Sequence, residues 1–345
     1  MTARIRENVA RLSAYVPGEQ PADPSVLKLN TNENPYPPSP HVEDVLRRYA
    51  TDGLRRYPDP ASNRLRETIA RLHGCGVEHV FCGNGSDEIL ALCIRAFVER
   101  HGKIGNFDPS YSLYPVLAAI GGKDTVPLAL APDFTCPPIP DRYDVPLFFW
   151  TNPNAPTSLL SARDPIQTYA ERSEGVVVVD EAYVDFARAD CAALALSLPN
   201  LLVTRSLSKS YSLAGIRLGY AIGHADLIEA LFKIKDAYNV NQLTQEMGRA
   251  AIEDQEHMRE NVRRIIHTRD RLTVALRERD FETLTSQTNF LWTKPARGSA
   301  ADLFRQLRER GVLVRHFNAP RIDEYLRVSI GTDEQMDQFL AALDV

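Results

Sequence analysis

Four consecutive valines, Val176-Val177-Val178-Val179, run directly into Asp180. A short β-branched run of this kind suits a strand covered on both faces, the kind found in parallel sheets with helices on either side. Asp180 then falls at the carboxyl end of the strand, with Glu181-Ala182-Tyr183 next. Leu201-Leu202-Val203-Thr204 predicts a second strand, and Lys209 lies in the loop after it, within Ser206-Leu207-Ser208-Lys209. Open α/β sheets bind their ligands outside the carboxyl ends of the strands. The pattern therefore carries an acid and an amine to one rim.

The rest of the chain repeats this alternation. Val80-Phe81-Cys82 predicts a strand running into Gly83-Asn84-Gly85-Ser86-Asp87-Glu88, and a helix follows with Ile89, Leu92, Cys93 and Ala96 on one face. Lys103 to Phe107 predicts the next strand, which ends at Asp108-Pro109-Ser110-Tyr111 before a further helix. Leu147-Phe148-Phe149-Trp150 predicts another, ending at Thr151-Asn152-Pro153-Asn154. Strand, loop and helix in succession argue for a mostly parallel sheet. Residues 17–40, rich in Pro and Asn, read as an extended arm. Helices are expected at Val42–Arg48, at Leu65–Leu72 behind the candidate caps Ser62 and Asn63, and at Leu227–Ala237. Long amphipathic helices over 245–278 lead to strands at Phe290–Trp292 and Leu326–Ile330.

With 345 residues the chain suits one large domain and a smaller one. A net charge of −5 argues against an extended nucleic-acid surface, and the arginines Arg263, Arg264, Arg269 and Arg271 read as a solvated helix face. No apolar run is long enough to span a bilayer, and the first residues lack a signal-peptide core, so a membrane partner is not expected. Cys75, Cys82, Cys93, Cys136 and Cys191 form no Cys-x-x-Cys pair and suit a reducing cytoplasm. The histidines show no metal-ligand spacing, and no metal is expected.

The glycine loop at 83–88 precedes a helix, where free backbone N–H groups suit a phosphate. A dinucleotide fingerprint does not fit, because Glu88 stands where a third glycine is needed. Taken singly, Asp180 caps a helix, Lys209 decorates a surface, Ser206 and Ser208 make a turn, and Arg217 in Ala214-Gly215-Ile216-Arg217 pairs with a carboxylate. Jointly, a lysine for a Schiff base, a carboxylate for a ring nitrogen and a phosphate loop are what pyridoxal 5'-phosphate requires.

The chain resembles the fold-type I aminotransferases that use this cofactor, and among them the histidinol-phosphate aminotransferases. The likeness runs nearly end to end. It is carried by the Lys209 motif, by Ala14-Tyr15-Val16-Pro17-Gly18, Leu29-Asn30-Thr31-Asn32-Glu33-Asn34-Pro35 and Arg56-Tyr57-Pro58-Asp59, and by Tyr238-Asn239-Val240-Asn241 and Arg327-Val328-Ser329-Ile330-Gly331-Thr332. The resemblance implies an α/β fold. A large cofactor-binding domain (41–245) would hold a mostly parallel central sheet flanked by helices. A smaller α+β domain would be built from the N-terminal arm (1–40) and the C-terminal segment (246–345). It implies that Lys209 anchors the cofactor and moves the α-proton, that Asp180 pairs with the ring nitrogen, and that Tyr183 donates to the ring 3-oxygen. Tyr111 would stack on the ring. Gly85, Ser86, Asp87, Ser206, Ser208 and Arg217 would surround the cofactor phosphate. Tyr57 would reach that phosphate from the partner subunit of a homodimer.

One position departs from the family pattern. Ala155 stands where an asparagine bonding the ring 3-oxygen is usual, in Asn152-Pro153-Asn154-Ala155-Pro156-Thr157-Ser158. Either Asn154 or Asn152 supplies that amide, or Tyr183 acts alone.

The implied reaction moves an amino group between L-histidinol phosphate and 2-oxoglutarate, giving imidazole acetol phosphate and glutamate, in histidine biosynthesis. Arg327 would bind the substrate anion, carboxylate or phosphate, since an arginine fork suits both. Arg315 offers a second positive group or is a surface arginine beside a strand. Asn32 and Tyr15, in the arm, would read the far end of the substrate. The rival readings are an aromatic amino acid aminotransferase, a decarboxylase of a phosphorylated amino acid, and a non-enzymatic cofactor-binding regulator.

Overall fold

The computed structural model describes residues 4–12, 17–140, 143 and 145–344. Its strands are β1 (Leu27–Lys28), β2 (Val80–Gly83), β3 (Lys103–Asp108), β4 (Asp124–Ala129), β5 (Leu147–Thr151), β6 (Val176–Asp180), β7 (Leu201–Ser206), β8 (Gly219–Gly223), β9 (Phe281–Thr283), β10 (Phe290–Pro295), β11 (Val312–Leu313), β12 (Arg315–His316) and β13 (Leu326–Ser329). Seven of them form the central sheet in the order β2-β8-β7-β6-β5-β3-β4. All neighbouring pairs are parallel except those made by β8, which runs against both β2 and β7. The carboxyl ends of β5, β6 and β7 therefore meet at one rim.

The valine run behaves as its composition dictates. Val177 and Val179 pack into one apolar cluster and Val178 into another, on the opposite face of the sheet. The flanking helices include Ser86–Phe97, whose Ile89, Leu92 and Cys93 are buried, and Leu113–Ile120. A second, antiparallel sheet has the order β12-β13-β10-β9. In a third pairing β1 joins β11 in parallel, Leu27 opposite Val312, which ties the N-terminal arm to the C-terminal segment.

The structure corrects several local expectations. Two strands of the central sheet lacked a clear signal: β4 is an edge strand that tolerates Pro127, and β8 begins and ends in glycine. The helix expected at 227–237 is Ala225–Ile234. Ser62 caps nothing with its side chain; Asp59 Oδ2 accepts from Asn63 N at 2.8 Å instead. The arginine face is only partly solvated. Arg269 is 5% exposed and donates to Phe186 O at 3.3 Å and Thr288 O at 3.1 Å, joining its long helix (Gln255–Arg277) to two loops. Arg264 lies 3.5 Å from the centroid of the Tyr36 ring.

Candidate active site

Pairing across the rim brings the chemistry together. Asp180 is the register partner of Thr151 on β5 and of Thr204 on β7. The loop after β7 turns Lys209 inward, so that Asp180 and Lys209 line one cavity of about 180 Å³ with Tyr111, Tyr183, Ala155 and Arg327. Lys209 Nζ donates to Thr31 O at 3.1 Å. Desolvation, helped by Arg327, draws its ammonium down to about 8, while the Glu33 and Asp87 carboxylates pull the other way. Burial raises the Asp180 carboxyl to about 6, against the hydrogen bond it accepts from Tyr114.

The floor of the cavity is built for an anion. Gly85, at φ +85°, precedes the helix Ser86–Phe97, whose first N–H groups have no intrahelical acceptor. A Cβ on Gly85 would stand 2.6 Å from Arg217 Nη2, and one on Gly219 would stand 2.4 Å from Ser86 N, so both glycines admit a close approach that other residues would block. Arg217, itself left-handed at φ +54°, reaches Asp87 Oδ2 at 3.3 Å and donates to Ser208 Oγ at 3.4 Å. Ser206 Oγ accepts from Ser208 N at 3.1 Å. A helix N-terminus, two serines and an arginine at one end, with a lysine and a buried acid beyond them, match the donor set of a phosphorylated pyridine aldehyde.

A neighbouring cavity of about 190 Å³ shares Thr31, Tyr111, Tyr183, Lys209 and Arg327 with the first, and adds Asn30, Asn32, Ser110, Arg315 and Phe317. Asn32, at φ +55°, donates from Nδ2 to Tyr183 Oη at 2.9 Å and from its backbone N to Ser329 Oγ at 2.8 Å. Arg327 donates to Asn30 O at 2.9 Å. Arg315 and Arg327 are register partners on β12 and β13, with Phe317 5.3 Å from one guanidinium and 5.6 Å from the other.

Not every expected residue reaches the cavities. Asn154 is buried, but its amide donates to Pro109 O at 3.1 Å and Thr157 Oγ1 at 2.9 Å, and the Asn152 amide donates to Ser161 O at 3.3 Å. Both amides are taken by other acceptors, Pro109 O on the loop after β3 among them, so neither lines the first cavity, and Ala155 alone of this segment does. Tyr57 is 79% exposed and stacks on Tyr238, ring centroids 4.4 Å apart. Tyr15 lies outside the described residues. Among the described residues no cluster of His, Cys, Asp and Glu is arranged to hold a metal ion.

Sequence reasoning missed Asn34, whose Nδ2 donates to Lys209 O at 2.9 Å and Ser210 O at 3.2 Å and so clamps the lysine's backbone. Its only signal was its place in the Asn-Glu-Asn-Pro segment. It also missed Tyr114, Thr151 and Thr204 behind Asp180.

The raised Asp180 carboxyl gives a stability prediction for the cofactor-free protein. Above about pH 6 the group is ionised in both folded and unfolded chains, and the fold bears the full cost of burying the charge. A shift from 3.8 to about 6 corresponds to about 3 kcal/mol. Below about pH 4 the group is protonated in both states and that cost is gone. Asp180→Asn should therefore raise the urea midpoint near pH 7.5, with the gain closing as the pH falls through this window. Equal midpoints for variant and parent at both ends would overturn the assigned burial of charge.

The description "aminotransferase class I and II" fits a family model matching residues 24–343. The histidinol-phosphate aminotransferase of Geotalea uraniireducens is 45% identical over 340 residues, 98% of each chain. That of Citrifermentans bemidjiense is 44% identical, covering 98% of this chain and 97% of its own. The crystal structure of histidinol-phosphate aminotransferase from Sinorhizobium meliloti in complex with pyridoxal-5'-phosphate superposes with a TM-score of 0.86 at 23% identity, over 99% of this chain and 97% of that one. With a cavity that presents a lysine, a buried acid and an anion cradle, and relatives matched over almost its whole length, the chain belongs to the class I and II aminotransferases and, within them, to the histidinol-phosphate aminotransferase family.

Proposed function

We propose that this chain transfers an amino group between L-histidinol phosphate and 2-oxoglutarate, giving imidazole acetol phosphate and glutamate, as a step of histidine biosynthesis. The observation that carries the substrate is the pair Arg315 and Arg327, register partners that line one cavity with Lys209. Two guanidiniums lining one cavity can together bond more oxygens than one carboxylate offers, which suits a dianionic phosphate.

Pyridoxal 5'-phosphate, when bound, supplies an aldehyde that exchanges amino groups and a ring that draws electrons from the substrate carbon. In this reading Ser206, Ser208, Arg217 and the N–H groups of Ser86 and Asp87 hold its phosphate. Tyr111 and Ala155, which line the cavity, would lie beside its ring, and Tyr183 would serve the ring 3-oxygen without an amide from Asn154. Asp180 holds a proton at the ring nitrogen. Lys209 is the amine that would hold the cofactor covalently. Its Nζ, with an ammonium brought down to about 8, then carries a proton to and from the substrate carbon near neutral pH.

The reading extends to assembly and place. The exposed stack of Tyr57 and Tyr238 supports a homodimer in which Tyr57 reaches the partner's phosphate cradle. The five cysteines are free thiols, which suits a cytoplasmic enzyme, and no helix of the described residues is long and apolar enough to cross a membrane. We place the large cofactor-binding domain at 41–245 and the smaller one at 1–40 with 246–345.

Steady-state assay with 2-oxoglutarate as acceptor tests the substrate. Histidinol phosphate should exceed phenylalanine in kcat/KM by at least about 10²-fold, within the discrimination that a site built around a polar partner achieves. Equal values would favour an aromatic aminotransferase. Release of carbon dioxide from a phosphorylated amino acid would favour a decarboxylase.

A further inference from the structure

Behind Asp180 lies a run of buried hydroxyl groups that the mechanism above leaves unused. Tyr114, 0% exposed in the helix Leu113–Ile120, donates from Oη to Asp180 Oδ2 at 2.9 Å. The same Oη lies 2.6 Å from Thr151 Oγ1, which lies 2.8 Å from Ser110 Oγ, which lies 3.1 Å from Asn154 Oδ1. On the other flank Thr204 Oγ1 lies 3.3 Å from Asp180 Oδ1. Since Thr151 and Thr204 are the register partners of Asp180 on β5 and β7, the acid sits between two threonines whose hydroxyls both join the network.

Counting protons fixes the direction of the run. Asn154 Nδ2 is turned to Pro109 O, an acceptor only, so Asn154 Oδ1 must accept from Ser110. The run thus begins on one acceptor, Asn154 Oδ1, and ends on another, the ionised Asp180. Three hydroxyl protons serve four links. A charged acceptor makes the strongest bond, so Tyr114 donates to Asp180 and Thr151 to Tyr114, and the link left short lies at the half-buried Ser110 end.

We propose that Tyr114 is a positioning residue for the reaction. Its hydroxyl, aligned by Thr151, keeps the Asp180 carboxylate ionised and turned to the cavity, so that the shared proton stays on the cofactor ring nitrogen. The proposal rests on the reading of Asp180 given above.

The surroundings leave this task largely to Tyr114. The groups facing Asp180 are Tyr114 from the helix 113–120, Thr204 from β7, the Ala182 N–H from its own loop and the Asp87 carboxylate from the helix 86–97. Burial favours the neutral acid, Asp87 adds to that push, and the Tyr114 bond is the largest influence against it. Burial also drives the Tyr114 phenol well above its ordinary value, so it stays a donor. Its ring is fixed by stacking on Phe149, centroids 4.7 Å apart, and edge-on by Tyr111 at 5.5 Å. Phenylalanine would keep that packing and remove only the donor.

The test is the ¹⁵N resonance of the ring nitrogen in enzyme reconstituted with ¹⁵N-labelled pyridoxal phosphate. Parent, Tyr114→Phe, Thr151→Val and Asp180→Asn are compared across the neutral pH range. The parent should show a protonated nitrogen and Asp180→Asn an unprotonated one. Tyr114→Phe should shift towards the unprotonated position and become pH-dependent. Its kcat should fall about 10- to 100-fold, the loss of one hydrogen bond to a charged group, with KM nearly unchanged. Thr151→Val should shift the same way by less, and it carries the test if Tyr114→Phe folds poorly. A Tyr114→Phe resonance identical to the parent's, with or without a lower kcat, overturns the proposal and leaves the Asp180 reading standing. An unprotonated nitrogen in the parent overturns both.

Discussion

Lys209→Ala yields a folded protein that holds the cofactor without a covalent link and transaminates at least about 10⁴-fold more slowly, because nucleophile and proton carrier are lost together. The structure argues that no neighbour takes over. The lysine's backbone is clamped by Asn34, and its Nζ is aimed by Thr31 O into the cavity that Asp180 lines. Lys28 is the lysine to check, since it is bonded at 2.6 Å to Glu33, which lines the same cavity. The measurement is the visible absorption that borohydride fixes onto a lysine, followed by peptide mapping of the labelled residue. The band should be lost in the variant, and in the parent the label should map to Lys209. A label on Lys28, or a band that survives in Lys209→Ala, would overturn the assignment.

What could be read before the structure was what local composition determines. The valine run specified a buried strand, and strands of that kind specify a rim, so Asp180 and Lys209 could be placed together from apolar runs alone. Contacts made across long stretches of chain could not. Asn34 meets Lys209 O from 175 positions away, and Tyr114 meets Asp180 from 66. A polar side chain does not announce its partner, only its need for one. The same gap explains Asn154, which the motif placed near the cofactor but whose amide bonds Pro109 O, 45 positions away, and Thr157. It explains Arg269 too: charge suggested solvent, while backbone carbonyls of two loops packed against the helix made burial tolerable. Register is the other thing composition hid. Arg315 looked like one of many surface arginines until β12 set it opposite Arg327.

That pairing sets up the second large effect, removal of the phosphate from the substrate. Histidinol offers the same amine and imidazole as histidinol phosphate, with a hydroxyl in place of the dianion. Histidinol then brings no negative group to the two guanidiniums that line the substrate cavity. A site built around a polar partner rejects an analogue that lacks it by about 10⁴–10⁵ in kcat/KM, and histidinol should fall in that range. The two arginines should separate by substrate. Arg327, held by Asn30 O beside Lys209, serves whichever anion is bound, so Arg327→Ala should damage both the glutamate and the histidinol phosphate half-reactions. Arg315→Ala should depress histidinol phosphate turnover while leaving the residual histidinol rate nearly unchanged, because a group that acts on the phosphate has nothing to lose once the phosphate is gone. Stopped-flow measurement of each half-reaction with the three donors separates these cases. If histidinol or phenylalanine matches histidinol phosphate in kcat/KM, the arginine pair is not a phosphate clamp and the substrate assignment falls, while the chemistry assigned to Lys209 and Asp180 stands on its own geometry.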